Sequence, residues 1–153
     1  MSSTSDHFTV AAKQALSLSH FEALCDGSDK IGPDHLMLAL ARQKNTIALQ
    51  AFRYIGLYPE QVLGSLAVSL EFREFRPLRR ISLAPDTERA MWAAVEAARR
   101  MGVTRIGTGH LLLGILALEE GIADQTLLGL RAHLPNLRRQ TARLIVETDV
   151  KEH

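Results

Sequence analysis

Two histidines occupy matching places in two similar segments, and their side chains could supply metal-binding or acid–base chemistry. His35 lies in IGPDHLMLAL, and His110 lies in the later segment IGTGHLLLGI. Histidine is a common metal ligand and general base. Neither has a second His, Cys or carboxylate at the i, i+4 spacing that would complete a zinc site on a helix. We therefore expect both to be structural, bonded to a backbone or hydroxyl group of a neighbouring turn, with no metal or cofactor.

Residues that could act as nucleophiles are also poorly placed. Cys25 is the single cysteine, which excludes an intramolecular disulfide and fits a reducing cytosol. No basic pair lies near it to lower its pKa, so a packing role is favoured. The Ser and Asp residues near His7 fall in a leader, residues 1–7, which we expect to be flexible, and the chain has no G-x-S-x-G motif. The sequence predicts a protein that is not an enzyme.

Charge is distributed unevenly although the net charge is only +1. The segment REFRPLRR carries four candidate partner-binding residues, Arg73, Arg76, Arg79 and Arg80. A solvated link between two halves is favoured over a dedicated anion site, and any contact would be with an acidic partner. The small net charge and an aromatic content of 5% argue against nucleic-acid binding.

The similarity around the two histidines extends along most of the chain. Aligning residues 8–70 with residues 83–145 at the fixed offset between His35 and His110 gives 12 identities over 63 positions without a gap. The sequence therefore predicts an internal duplication, with repeat 1 at residues 8–70, a linker at 71–82, repeat 2 at 83–147 and a tail at 148–153. Two copies favour a closed pair over an open solenoid.

Each repeat shows the apolar spacing of helices and no convincing strand pattern. A stripe from Phe8 to Ala23 predicts a first helix that Gly27 ends, and Pro33 and Asp34 open a buried second helix. Thr108 is expected to cap the corresponding helix of repeat 2. Leu38 and Leu113 are expected to be buried at equivalent places. The predicted fold is all-α, with eight helices in two four-helix repeats related by a pseudo-twofold axis.

The doubled pattern of a helix, a glycine and I-G-x-x-H before an apolar helix resembles the amino-terminal (Clp repeat) domain of the Clp ATPases, in particular the ClpC type. The resemblance covers residues 7–147. The phosphate loop of those ATPases, G-x-x-x-x-G-K-[ST], does not occur in the sequence. We therefore expect a stand-alone Clp repeat protein, although a domain cut from a larger ATPase is the alternative.

The resemblance also implies binding positions. ClpC-type domains bind phosphorylated arginine through a Thr-Glu pair inside each I-G-T-E-H, and those positions are Pro33-Asp34 and Thr108-Gly109 in this sequence. The first lacks the hydroxyl and has a shorter carboxylate, and the second lacks the carboxylate. We expect weak or no binding of free phosphoarginine, with any residual binding at Asp34, and we expect Gly109→Glu to improve the second position.

What the resemblance implies about function is interaction with proteins. We expect a non-enzymatic, adaptor-like accessory protein that binds a Clp ATPase, a Clp protease subunit or their substrates; a decoy that sequesters Clp ligands is the alternative. The chain has no apolar run of the roughly 18 to 20 residues that span a membrane, and its N-terminus is not that of a secretory signal. We expect a cytoplasmic monomer that binds neither membrane nor nucleic acid.

Overall fold

The computed structural model describes residues 7–58, 60–62, 81–118, 121–130 and 132–149. Seven helices lie in these ranges: α1 (Val10–Cys25), α2 (Pro33–Arg42), α3 (Ile47–Tyr54), α4 (Pro85–Arg100), α5 (Thr108–Leu116), α6 (Ile122–Gly129) and α7 (Leu134–Asp149). The predicted all-helical fold is confirmed. None of the described helices combines the length and the apolar character that crossing a membrane requires.

The helices repeat at the offset that the sequence predicts. Helix α4 begins and ends one offset after α1 begins and ends, and α6 is related to α3 in the same way. Helix α5 begins one offset after the start of α2. Residues 60–62 are helical at the place where the fourth helix of repeat 1 is predicted to begin. The remainder of that predicted helix lies outside the described residues. The apolar spacing thus places helices of similar length at the same positions in both copies.

Two short strands, which the sequence does not predict, join the repeats. β1 (Lys30–Ile31) pairs in parallel with β2 (Ser82–Leu83), and Ala84 donates its backbone N–H to the carbonyl of Ile31 at 2.9 Å. The other repeat has the matching arrangement, because Thr9 donates to the carbonyl of Ile106 at 2.9 Å. Strands of two residues carry too little alternation to be recognised in a sequence. The segment before the first helix of each repeat therefore lies against the other repeat.

The central helices of the core are α2 and α5. Buried apolar side chains of both helices join one cluster with residues of α1, α3, α4, α6 and α7. Leu38 is only 3% exposed, as expected. Leu113 is half-buried, so its predicted burial is wrong. It lies one turn before the exposed Ala117, on the side of α5 at the edge of the core.

Candidate functional site

A cavity of about 560 Å³ lies where the first turns of α1, α3 and α5 meet the last turns of α7. We call this cavity the groove. The residues that line it are Thr9, Val10, Ala11, Asn45, Thr46, Ile47, Gln50, Val103, Thr104, Arg105, Gly107, Thr108, His110, Ile145 and Thr148. Both repeats contribute to it, so neither repeat forms the groove alone.

Threonine caps set the directions of two helices at the groove. The hydroxyl of Thr9 accepts the N–H of Ala12 at 3.1 Å, and the hydroxyl of Thr46 accepts the N–H of Leu49 at 3.2 Å. Each bond satisfies an N–H that the start of a helix leaves without a helical partner. Arg105 is the only arginine or lysine among the described lining residues, and no aspartate or glutamate is among them. Polar groups without negative charge therefore border the groove.

Thr108 lines the groove but does not cap α5 as predicted. Gly107 occupies the cap position, and Thr108 is the first helical residue. The Thr108 side chain is buried, and its hydroxyl accepts the N–H of Ala48 at 3.3 Å, in the first turn of α3. The hydroxyl thus links α5 to α3 across the repeats, because that N–H lies at the start of its own helix and needs an external acceptor.

Gly109 lies under the groove, where the side chains of Ile145 and Ile47 occupy the space that a larger residue would need. A Cβ atom built on Gly109 would lie 2.6 Å from Cγ1 of Ile145 and 2.8 Å from Cγ2 of Ile47. Both distances are well inside van der Waals contact. For Gly109→Glu to improve this position, as expected from the sequence, the side chains of Ile145 and Ile47 would have to rotate or α7 and α3 would have to move away from α5.

Pro33 and Asp34 occupy the related place in repeat 1. They are the first two residues of α2, and both are buried, Asp34 with 9% exposure. Oδ1 of Asp34 lies 3.6 Å from Nδ1 of His35. Of the four positions that the resemblance implies, Thr108 alone lines the groove. The two halves of the expected site differ in their surroundings as well as in their residue types.

His35 and His110 perform the same task at the starts of α2 and α5. Nδ1 of His35 accepts the backbone N–H of Gly32 at 2.9 Å, and Nδ1 of His110 accepts that of Gly107 at 3.0 Å. Each imidazole thus takes the place of the glutamate in a capping box, three residues after the cap. This geometry agrees with the backbone bond expected from the sequence and explains why a histidine recurs at the same place in each repeat.

The His35 ring has an additional partner. Its Nε2 lies 2.7 Å from Oδ2 of Asp26, whose Oδ1 accepts hydrogen bonds from the backbone N–H and the hydroxyl of Ser28. Burial raises the pKa of Asp26, but the hydrogen bonds from Ser28 and His35 outweigh burial and hold that pKa below its ordinary value. Met101 stands at the corresponding place in repeat 2.

Ser28, His35 and Asp26 do not form a catalytic triad. Because Nδ1 of His35 accepts a hydrogen bond from Gly32, the ring proton is on Nε2 and is donated to Asp26. The ring then has no free lone pair with which to take a proton from Ser28, as a general base must. The cluster can anchor the loop before α2 but cannot activate the serine.

The other features singled out in the sequence are Cys25, a possible metal site and the arginine segment. Cys25 is exposed, so the packing role expected for it is wrong. The slight desolvation of its thiol, followed by the negative charges of Glu22 and Asp26, raises the pKa of that thiol. A raised pKa leaves little reactive thiolate at neutral pH. No group of three metal-ligating side chains converges in the described part of the chain. The arginine segment, Arg73, Arg76, Arg79 and Arg80, lies outside the described residues.

Sequence reasoning missed most of the groove. Thr9, Thr46 and Arg105 were not singled out, and the pairing of Asp26 with His35 was not anticipated. The sequence places the start of α3 at about Thr46, and Thr9, a threonine directly before an apolar run, is a recognisable cap signal that could have placed the start of α1 in the same way. No local pattern shows that these starts converge.

The sequence is similar to those of known proteins along most of its length. The sequence profile of the Clp repeat (R) N-terminal domain family matches residues 7–146. The negative regulator of genetic competence ClpC/MecB of Bacillus subtilis is 32% identical over 138 residues, which are 90% of this chain and 17% of that protein. The chain therefore spans about a sixth of the length of this relative.

Solved structures show the same fold. The N-terminal domain of the chaperone ClpD from Arabidopsis thaliana superposes with a TM-score of 0.75 at 22% identity, covering 94% of this chain and 97% of that one. A ClpV N-domain, solved in complex with a VipB peptide, superposes with a TM-score of 0.73 at 15% identity, covering 94% of this chain and 89% of that one.

Proposed function

The chain belongs to the family of Clp repeat (R) N-terminal domains, and we propose that it is a non-enzymatic, adaptor-like interaction module of the Clp chaperone–protease system. In this proposal it binds a Clp ATPase, a Clp protease subunit or their substrate proteins in the cytoplasm. N-terminal domains of this family mediate adaptor and substrate binding in Clp ATPases. The fold and the family relationship support a binding role for this chain.

The observation that carries the proposal is the groove between the two repeats. It combines apolar side chains such as Ile47 and Ile145 with hydroxyl and amide groups such as Thr104 and Gln50. Its lining is about equally polar and apolar, so it offers apolar contact together with polar groups that can fix the orientation of a ligand. An extended peptide can bury apolar side chains in such a groove while its backbone bonds to the polar rim.

A capture experiment tests this role, and the chain provides its own matched control. Gln50 is exposed at the rim of the groove, and Gln125 is exposed at the equivalent place on α6, away from it. Immobilised chain should recover Clp subunits or their substrates from the cytosol of the native organism. Gln50→Tyr should obstruct the groove and reduce recovery, whereas Gln125→Tyr should not. Recovery of no Clp subunit and no substrate by the unmodified chain would show that the proposal is wrong.

A degradation assay separates an adaptor from a decoy. With a reconstituted Clp ATPase, its protease and a recovered substrate, an adaptor should accelerate turnover because it raises the local concentration of substrate at the ATPase. A decoy would slow turnover because it holds substrate away. No effect of a molar excess of the chain on turnover would contradict both roles.

We also propose that the chain binds free phosphoarginine weakly or not at all. No carboxylate is among the described residues lining the groove, and Gly109 has no side chain to supply one. A guanidinium group left without its charged partner forfeits the strongest class of hydrogen bond. Any residual binding would take place at Asp34, so Asp34→Asn should abolish it in calorimetry. Two tight and equivalent sites in the unmodified chain would contradict this proposal.

A further inference from the structure

The loop between α2 and α3, residues 43–46, borders three neighbouring cavities. One is the groove. A second, of about 610 Å³, lies between α1 and the loop, and a third, of about 560 Å³, lies on the side of Arg53 and Glu60. Asn45 borders all three. The cavities therefore form one continuous surface around the loop, which we call the loop surface.

The loop surface carries cations that the described protein does not neutralise. Lys13 on α1, Lys44 in the loop and Arg53 on α3 border its cavities, and none forms an ion pair with a described residue. Arg42, beside them, differs because it pairs with Glu22. Glu60 is the one carboxylate among the described residues that line the three cavities. The local field therefore favours a negatively charged ligand.

The side chain of Gln43 sets a second requirement for a ligand of the loop surface. Its Nε2 donates to the backbone carbonyl of Ala11 at 2.9 Å, which fixes the orientation of the amide. Its Oε1 is buried and accepts no hydrogen bond from the described residues, although Gln43 borders both the second and the third cavity. A buried acceptor without a donor is destabilising, because nothing replaces the hydrogen bond that it would make to water. A ligand that brings an N–H group would remove that penalty.

The backbone of the loop is itself unusual. Asn45 has a φ of 60°, and it is the only residue other than glycine with a positive φ in the described chain. Asparagine tolerates this left-handed conformation better than most residues, but it remains uncommon. It turns the loop sharply and holds Lys44 and Asn45 in exposed positions between the cavities. Because Oε1 of Gln43 is buried, a ligand can reach it only when neighbouring residues of the loop move.

We propose that the loop surface binds an acidic peptide, with Lys13 and Lys44 contacting its carboxylates and Gln43 accepting one of its backbone N–H groups. An acidic peptide supplies both the acceptors that the lysines need and the donor that Gln43 lacks. A nucleic acid fits less well, because the described residues that border the three cavities include no phenylalanine, tyrosine or tryptophan to stack with a base. This inference rests on the proposed binding role and specifies the chemistry of the partner.

The test measures binding of a labelled peptide of alternating glutamate and serine by fluorescence anisotropy. The variant Lys13→Gln/Lys44→Gln should bind about tenfold more weakly, since it removes two charge contacts that are each of modest strength near the surface. Its control, Arg89→Gln/Arg139→Gln, removes the same amount of charge from exposed residues that border none of the three cavities. The control should bind like the unmodified chain, and added salt should weaken binding to both.

Several results would overturn the inference. These are no binding of the acidic peptide, equal binding by the two double variants, and equal binding of a peptide with glutamine in place of glutamate. Full competition by millimolar inorganic phosphate would indicate a simple anion site, and tighter binding of a single-stranded oligonucleotide would indicate a nucleic-acid surface. The capture experiment is separate: if it fails while the acidic peptide binds at the lysines, the Clp role is wrong and the loop surface stands.

Discussion

Replacing Gly114 by alanine should force α5 away from α4. A Cβ atom on Gly114 would lie 2.1 Å from the backbone oxygen of Ala90 and 3.1 Å from the backbone nitrogen of Ala94. Both neighbours are backbone atoms, so no side-chain rotation can relieve the overlap. Restoring an ordinary contact of 3.4 Å to the Ala90 oxygen requires the helices to separate by more than an ångström at this point. In repeat 1 the equivalent residue is Ala39, which is fully buried.

The direction of the effect is informative because alanine is the better helix former. In an open helix interior the change from glycine to alanine stabilises by up to about 1 kcal/mol. Forcing extra volume into a packed core costs about 1 to 3 kcal/mol, and a gap of about 0.5 to 1 Å already forfeits about a quarter to a half of each contact energy. Separation of α4 from α5 affects the whole interface, so we expect a net loss of about 1 to 3 kcal/mol.

Urea denaturation followed by far-ultraviolet circular dichroism measures this loss. Gly129→Ala is the matched control, because Gly129 is a helical residue of α6 and a Cβ atom there would have nothing within 4 Å. The control should be neutral or slightly stabilising. If Gly114→Ala is as stable as the unmodified chain, or more stable, then α4 and α5 do not approach as closely as described and the steric argument is refuted.

Three further predictions concern the core, the repeat junction and pH. Leu38→Ala should cost about 2 to 5 kcal/mol, and the half-buried Leu113→Ala should cost clearly less; equal losses in urea denaturation would contradict this difference. Thr87→Val should cost about 1 kcal/mol, because the buried hydroxyl donates to the carbonyl of Ile31 at 2.7 Å; an unchanged denaturation midpoint would show that this bond is dispensable. Because the folded-state pKa of Asp26 is lowered, its contribution is present above the unfolded pKa of about 3.9 and is lost as pH falls through the folded value. Asp26→Asn should therefore flatten the pH dependence of stability in acid, and an identical slope in the variant would contradict the assignment.

The sequence was sufficient to predict the repeated helices. The apolar spacing is local, since it depends on residues three and four apart on one helix, and it appears twice at the same offset. The burial of α2 also follows from its nearly continuous apolar run. His35 and His110 could be assigned a structural role because each lies at the start of such a helix without a second ligand at helical spacing.

The groove and the fit of individual residues were decided by the tertiary structure. Thr108 is hydrogen-bonded to Ala48, and Thr9 is hydrogen-bonded to Ile106. Gly109 packs against Ile145. The two residues of each pair are far apart in the sequence. Local patterns specify which helices form, but they do not specify the distance between two helices or which helix ends meet. The space at Gly109, the exposure of Leu113 and the exchange of strands between repeats depend on those distances, because packing is determined by the approach of whole elements.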